Sequence, residues 1–408
     1  MRDLSISFCG VPCENPFFLG SSCISGTEEM CARALEAGWG GLVYKTIGFY
    51  QAREVSPRFD AVMTQGRFAG FRNLEQISEH PLEENLEAIS HLASRFPDKV
   101  IVSSIMGETP EEWEQLARLS EQAGAAIIEC NFSCPQMAKE AMGADVGVSP
   151  ALVERACRAV RRGTRLPVLA KMTPNITDMT IPARAAIAGG ATGLAAINTV
   201  KSLTHVGWPS LKDGEGRGGL APDVAGSSCV SGYSGPAVRP IALRFVSELA
   251  RDEVLASVPI SGIGGVVTWR DARSFLLLGA RNVQVATAVM EYGYRIIDDL
   301  IEGLADDLEA RGLTLEALIG SALPSLRESA ALDRATQSLP VFDAARCVGC
   351  GRCYLSCRDG GHQAIRWEAA ARRPVLDGAR CVGCQLCRLV CPAAAIAAGP
   401  RQRRAAAG

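Results

Sequence analysis

The sequence has no surplus of charge, little lysine and no long apolar run, and each shortage excludes something. Forty-two basic residues face 44 acidic ones, a formal net charge of −2, so a general binder of nucleic acid or other polyanions is not expected. The longest uncharged apolar stretch, Ala185–Val200, contains Gly189, Gly190, Asn198 and Thr199 and is too short to span a bilayer. The opening MRDLSISFCGVPCENPFF carries one Arg, an Asp at position 3 and no sustained apolar core, unlike a secretory signal. A soluble, cytoplasmic protein is expected. A dinucleotide fingerprint is also missing. The G-x-G-x-x-G match at Gly214, Gly216 and Gly219 lies in a charged loop with no helix after it, whereas the motif needs a strand before it and a helix N-terminus behind it. Only 6 of the 42 basic residues are Lys, so the places where those Lys fall carry information.

Apolar residues are plentiful. Over 408 residues, 48% are hydrophobic and 21% charged, which excludes a disordered chain. The length suits two or three domains, or one large α/β barrel with an appendage.

Cysteine is the strongest compositional signal. Of 16 Cys, eight fall between Cys347 and Cys391. In a cytoplasmic protein such density points to metal rather than disulfides. They form two runs, Cys347-x2-Cys350-x2-Cys353-x3-Cys357 and Cys381-x2-Cys384-x2-Cys387-x3-Cys391, the second followed by Pro392. This spacing lets three thiolates hold three corners of a cubane while the fourth reaches the other cluster. Cys347, Cys350, Cys353 and Cys391 are therefore expected to bind one 4Fe–4S cluster, and Cys381, Cys384, Cys387 and Cys357 a second. Paired zinc sites, the alternative, fit these runs poorly. Residues 341–408 also hold 11 Arg against four acids, read chiefly as compensation for cluster charge.

The remainder alternates between two patterns. Eight short apolar runs, Pro16–Ser21, Gly41–Thr46, Val100–Ile105, Ala126–Phe132, Pro167–Met172, Gly193–Asn198, Pro259–Gly262 and Asn282–Thr287, show little alternation, as strands covered on both faces do. Between and after them lie helix-like segments at Thr27–Ala37, Leu82–Arg95, Pro110–Ala123, Pro150–Arg162, Asp178–Ala188, Val238–Ala250, Trp269–Leu278 and Tyr292–Leu308. Several start after Ser or Thr and end before Gly. Eight such repeats predict an α/β fold of the (β/α)8 type over residues 1–308, with an open doubly wound sheet as the alternative. A helical connector is expected over 309–340, a double-cluster, ferredoxin-like α+β module over 341–395, and a frayed basic tail over 396–408.

In such a barrel, chemistry sits at the C-terminal ends of the strands. Two of the six Lys, Lys45 and Lys171, occupy such ends, as do Asn131, Asn198 and Thr199. Gly264-Gly265 and Ala286-Thr287 follow the seventh and eighth strands, where barrels hold phosphate, and Ser234-Gly235 is a third element of the same kind.

Taken together, ECNFSCPQ, AKMTPNITD, AAINTV, GYSGPAVRPIAL, ISGIGG, YKTIGF, VSPRF and FRNLEQISEH resemble the flavin barrel of the dihydroorotate and dihydropyrimidine dehydrogenases. CVGCGRCYLSCRDGGHQAI and CVGCQLCRLVCP resemble the C-terminal cluster domain of dihydropyrimidine dehydrogenases. The combination is similar to the catalytic subunit of the bacterial NAD-dependent enzymes. Arg358 replaces the usual Pro after Cys357 without touching the ligands.

The resemblance implies FMN in the barrel and reversible reduction of the C5–C6 double bond of uracil or thymine. Hydride would pass between FMN N5 and C6, and a proton between Cys134 and C5. A thiol, with an ordinary pKa of about 8.5, suits that proton transfer near neutrality. Asn73, Asn131, Ser133, Asn198 and Thr199 are implied pyrimidine contacts, amides matching a ring of alternating C=O and N–H groups. Ser21, Lys45, Lys171, Ser234, Gly235, Gly264, Gly265, Ala286 and Thr287 are implied FMN contacts. The segment 135–147 reads as a lid with possible hinges at Gly143 and Gly147. Its Gln136-Met137-Ala138-Lys139-Glu140 is poorer in Gly than the family motif.

Since the sequence offers no convincing NAD or FAD site, the resemblance also implies a separate FAD- and NAD-binding partner subunit that exchanges electrons with the clusters. The alternatives are a dihydroorotate dehydrogenase-type enzyme and an electron-transfer subunit with an inactive barrel.

Overall fold

The computed structural model describes residues 3–132, 144–208 and 219–404. The chain divides into two compact units, Met1–Ser325 and Leu326–Gly408.

In the first unit eight parallel strands close into a barrel: β1 (Phe17–Leu19), β2 (Gly41–Val43), β3 (Val100–Ile105), β4 (Ile127–Asn131), β5 (Val168–Lys171), β6 (Gly193–Ala196), β7 (Ile260–Ile263) and β8 (Ala280–Val285). Each strand pairs with its neighbour in sequence, and β8 closes on β1 through Val283–Phe17 and Val285–Leu19. All eight expected runs are barrel strands. The barrel closes because every strand is covered on both sides, inward by its opposite numbers and outward by helices.

The two-residue period assigns the side chains. In β4, Cys130 points outward towards Cys157 on the helix Pro150–Gly163, so Glu129 and Asn131 face the barrel interior. In β3, Ser103 bonds outward to Ser120 and Ser104 turns inward to Glu129.

The main helices are α1 (Glu28–Ala37), α2 (Leu82–Arg95), α3 (Pro110–Gln122), α4 (Pro150–Gly163), α5 (Thr180–Ala188), α6 (Arg239–Arg251), α7 (Trp269–Leu277) and α8 (Ile296–Arg311). Thr27, Thr109, Ser149 and Thr268 accept a bond from a backbone N–H of the first turn, satisfying donors that the helix leaves open. The last helix starts later than the expected Tyr292. A short helix, Thr287–Tyr292, ends at Gly293, whose φ of 78° breaks the run.

Two additions lie outside the eight-fold repeat. A hairpin of Ile6–Phe8 and Val11–Cys13 lies against the start of β6, with Cys9 Sγ 4.0 Å from Thr192 O. A four-stranded antiparallel sheet, ordered Val200–Ser202, Ser231–Ser234, Arg67–Asn73, Phe59–Thr64, is built from the loops that leave β2 and β6. Its register sets Asn73 opposite Gly232 and Phe59.

In the second unit, Thr336–Phe342 pairs antiparallel with Ile396–Arg403, and Ile365–Glu368 with Arg373–Leu376. Two helices, Arg352–Gly360 and Leu386–Leu389, carry cysteines from the two runs. Ala364, Ile365 and Ile396 form a small core with Cys353, Cys357 and Cys387. Two expectations change here. The stretch expected as a connector ends in a strand from Thr336, and the expected frayed tail is a strand as far as Arg403. Each partner supplies the other's backbone bonds. Pro340 is accommodated at a register shift, and Pro400 is accommodated because this is a two-stranded ribbon with open edges.

Candidate active site

The strand ends of the barrel open into one cleft of about 1040 Å³, counting the solvent at its mouth. Ser21, Lys45, Asn73, Asn131, Lys171, Asn198, Thr199, Ser234, Gly264, Gly265, Ala286 and Thr287 all line it. The predicted site residues therefore converge, although they come from nine separate stretches of sequence. Gly235 is set back from the wall, with its carbonyl against Gly265. Ser133 and Cys134 lie outside the described residues, as do 135–143 of the expected lid. Gly147 falls inside a helix, Ala144–Val148, donating its N–H to Phe132 O at 3.1 Å. A Cβ there would lie 2.8 Å from that carbonyl, so close packing explains this glycine better than a hinge does.

Both cleft lysines are buried and backed by carboxylates. Lys45 Nζ lies 3.3 Å from Glu75 Oε2 and 4.0 Å from Glu54 Oε1, and Arg58 shares Glu75 at 3.2 Å. Burial pushes the Glu54 carboxyl above its usual range, against the pull of the Gln76 backbone N–H and of Lys45. Lys171 Nζ lies 3.2 Å from Glu129 Oε1, and Glu129 is fully buried.

The amides are held as a set. Asn198 Nδ2 donates to Asn131 Oδ1 at 3.3 Å, and Asn131 Nδ2 donates to Thr46 Oγ1 at 2.9 Å. Asn73 is fixed by its bond to Gly232 O and by accepting from the Glu75 N–H. Glu75, Phe59, Phe71, Tyr233 and Gln284 also line the cleft. Sequence reasoning did not single them out, although FRNLEQISEH contains Phe71 and Glu75, VSPRF contains Phe59 and GYSGPAVRPIAL contains Tyr233.

The cleft wall suits a flavin mononucleotide. Ser22 Oγ and Gln284 Oε1 are buried at the wall with no hydrogen-bond partner among the described residues, and such groups rarely stay unsatisfied. Gly264 and Gly265 have φ of 129° and 72°, and a Cβ on Gly265 would lie 2.7 Å from Gly235 O. Beside them Thr287 donates to Ser234 Oγ at 3.1 Å. The three loops expected to hold phosphate thus meet, with glycine allowing close backbone approach.

In the second unit the cysteines ring two cavities. Cys347, Cys350, Cys353 and Cys391 line one of about 360 Å³, and Cys357, Cys381, Cys384 and Cys387 line another of about 340 Å³. Each cavity takes three cysteines from one run and the fourth from the other. Ala364 N–H donates to Cys357 Sγ and Ala395 N–H to Cys391 Sγ, each at 3.3 Å, the kind of bond that steadies a thiolate on a cluster. The Gly349 backbone N–H, helped by Arg373, holds the Cys347 thiol below its ordinary range. Burial pushes Cys387 up to about 11, so that ligand must shed its proton on binding. No three His, Cys, Asp or Glu among the described residues converge tightly enough for a single ion. All-thiolate rings of this width suit iron–sulfur cubanes better than mononuclear zinc.

A parallel barrel with an ionic, amide-rich cleft at its strand ends, joined to an eight-cysteine module, defines a redox barrel enzyme with an iron–sulfur domain. Residues 3–308 match the dihydroorotate dehydrogenase family, and 341–398 match the 4Fe-4S dicluster domain. The chain belongs to the dihydroorotate dehydrogenase family of oxidoreductases.

Among its relatives, the NAD-dependent dihydropyrimidine dehydrogenase subunit PreA of Escherichia coli (strain K12) is 54% identical over 91% of this chain and 89% of that protein. The chloroplastic dihydropyrimidine dehydrogenase (NADP(+)) of Arabidopsis thaliana is 37% identical over 79% of this chain and 77% of its own length. The catalytic subunit of dihydroorotate dehydrogenase B (NAD(+)) of Pyrococcus horikoshii is 36% identical over 79% of this chain and 98% of its own length. No helix among the described residues is long and apolar enough to cross a membrane.

Proposed function

We propose that this chain reversibly reduces the C5–C6 double bond of uracil or thymine, using FMN in the barrel and two 4Fe–4S clusters in the second unit. The observation that carries this reading is the convergence of Asn73, Asn131, Asn198 and Thr199 with two buried lysines in one cleft. Amides offer both donors and acceptors to a ring of alternating C=O and N–H groups. Bound FMN would supply or take the hydride at ring carbon C6.

The protein's own residues do the rest. Lys45 and Lys171 bring positive charge to the flavin side of the cleft, favouring the anionic reduced cofactor. Ser234, Gly264, Gly265, Ala286 and Thr287 offer the phosphate its loops, with Gly235 behind them. Ser21 stands at the same wall. Asn131 and Asn198 orient the pyrimidine with Asn73, Thr199 and Ser133. Cys134 holds or releases the proton for C5.

The clusters pass electrons singly, whereas NADH delivers a pair, so a separate FAD- and NAD-binding subunit is the expected partner. The E. coli relative is itself named as a subunit. Cys134→Ala tests the reading. It should keep flavin and iron and lose about 10²- to 10⁴-fold in pyrimidine turnover, the usual contribution of a positioned acid or base. Near-wild-type turnover would remove Cys134 from the chemistry. Comparing uracil with orotate as substrate separates this reading from a dihydroorotate-type activity.

A further inference from the structure

Glu129 has no role in the chemistry above, yet its side chain is completely buried inside the barrel. Carboxylates are seldom buried without a purpose-built set of partners, and those of Glu129 come from three other strands. Oε1 lies 3.2 Å from Lys171 Nζ and accepts from the Ser104 hydroxyl at 3.4 Å. Oε2 accepts from the Gln284 amide at 3.1 Å, which is also within 3.1 Å of Ser261 Oγ.

From Ser104 the bonds continue to the rim. Ser104 and Thr46 hydroxyls are 2.8 Å apart, Asn131 Nδ2 donates to Thr46, and Asn198 Nδ2 donates to Asn131 Oδ1. An ionised carboxylate only accepts. Ser104 therefore gives its proton to Glu129, Thr46 gives its own to Ser104, and Asn131 turns its NH₂ to Thr46 and its C=O to Asn198. One buried charge orders the donor–acceptor polarity of the whole chain.

We propose that Glu129 is a positioning residue that offsets the charge of Lys171 on the flavin side and fixes the polarity of Asn131 and Asn198 on the pyrimidine side. This rests on the flavin–pyrimidine reading given above. Removing the carboxylate charge leaves Lys171 less compensated, which favours the anionic reduced flavin. A glutamine can donate as well as accept, so the chain loses its single polarity and the ring is held less well.

The test is titration of the apoproteins of wild type, E129Q, K171M and the double variant with oxidised and with reduced FMN, alongside pyrimidine kinetics with an artificial electron donor. In E129Q the ratio of reduced to oxidised FMN affinity should rise about tenfold or more, equivalent to ~30 mV or more in a two-electron couple. KM for the pyrimidine should rise by a larger factor than kcat falls. In the K171M background the affinity-ratio shift should shrink to less than half. Glu129→Asp keeps the charge but withdraws it by one methylene. It should give a smaller shift of the same sign, and it carries the test if E129Q does not fold. An unchanged ratio in these variants, or a shift of full size in the K171M background, overturns the proposal. If wild type takes up FMN and the variants behave like it, only this inference fails. A wild-type protein that takes up no FMN overturns the underlying reading as well.

Discussion

Gly265→Ala probes the phosphate end of the cleft in a way that separates backbone strain from ligand binding. Gly265 sits at φ 72°, and a Cβ there would lie 2.7 Å from Gly235 O, 2.9 Å from Arg239 Cβ and 3.0 Å from Arg239 N. The left-handed backbone alone costs a non-glycine residue ~1 kcal/mol. Gly312→Ala isolates that cost, because Gly312 caps α8 at φ 66° with nothing within 4 Å of an added Cβ. It should lower stability by ~1 kcal/mol and leave FMN uptake unchanged. Gly265→Ala adds overpacking of ~1–3 kcal/mol that is relieved only by moving the Gly235 loop. If that displacement falls on the phosphate wall, FMN affinity drops about 5- to 150-fold. Quenching of FMN fluorescence by the apoprotein reads the affinity, and thermal unfolding reads the stability. An FMN affinity equal to that of wild type in Gly265→Ala, with Gly312→Ala showing its expected stability loss, would refute the placement of phosphate at these loops.

The crossed cysteine sets make a second prediction. Cys391→Ser and Cys347→Ser should remove the same cluster, and Cys357→Ser should match Cys381→Ser, each lowering iron from about eight to about four per chain with one of two electron-paramagnetic signals lost. Pairing of Cys391 with the second run instead would contradict the assignment. Burial, the dominant cause at both sites, pushes Cys9 up to about 12 and Cys23 up to about 11. At pH 8 only roughly one in a thousand Cys23 thiols would be ionised. Iodoacetamide should therefore leave both unlabelled in the folded chain, label them progressively as the pH is raised, and label them readily after unfolding.

The barrel was legible because its strands are short, mostly apolar runs buried on both faces, and helix-like segments, four of them capped by Ser or Thr, alternate with them. The sheet over the mouth was not. Phe59–Thr64 is mostly exposed and Arg67–Asn73 is interrupted at Gly70, with φ 154° and a register shift opposite Val62. Neither segment shows the run or the alternation by which strands are recognised. Asn73 was expected at the site by resemblance, but its place there depends on that sheet. The terminal strand Ile396–Arg403 was hidden because its residues are mostly exposed and its partner lies some 60 residues earlier. Lys45 and Lys171 were legible as rare residues at strand ends, whereas their partners Glu75, Glu54 and Glu129 were not. Glu129 did leave a signal. It is an acid inside an otherwise apolar strand, two residues before Asn131 and thus on the same face.

The measurement that bears most directly on the central claim is an anaerobic titration of the purified chain with dihydrouracil, dihydrothymine and dihydroorotate while the visible flavin band is followed. Bleaching by dihydrouracil or dihydrothymine, with little or none by dihydroorotate, is the predicted result. A flavin band that none of the three dihydropyrimidines bleaches, or that dihydroorotate alone bleaches, would contradict the account.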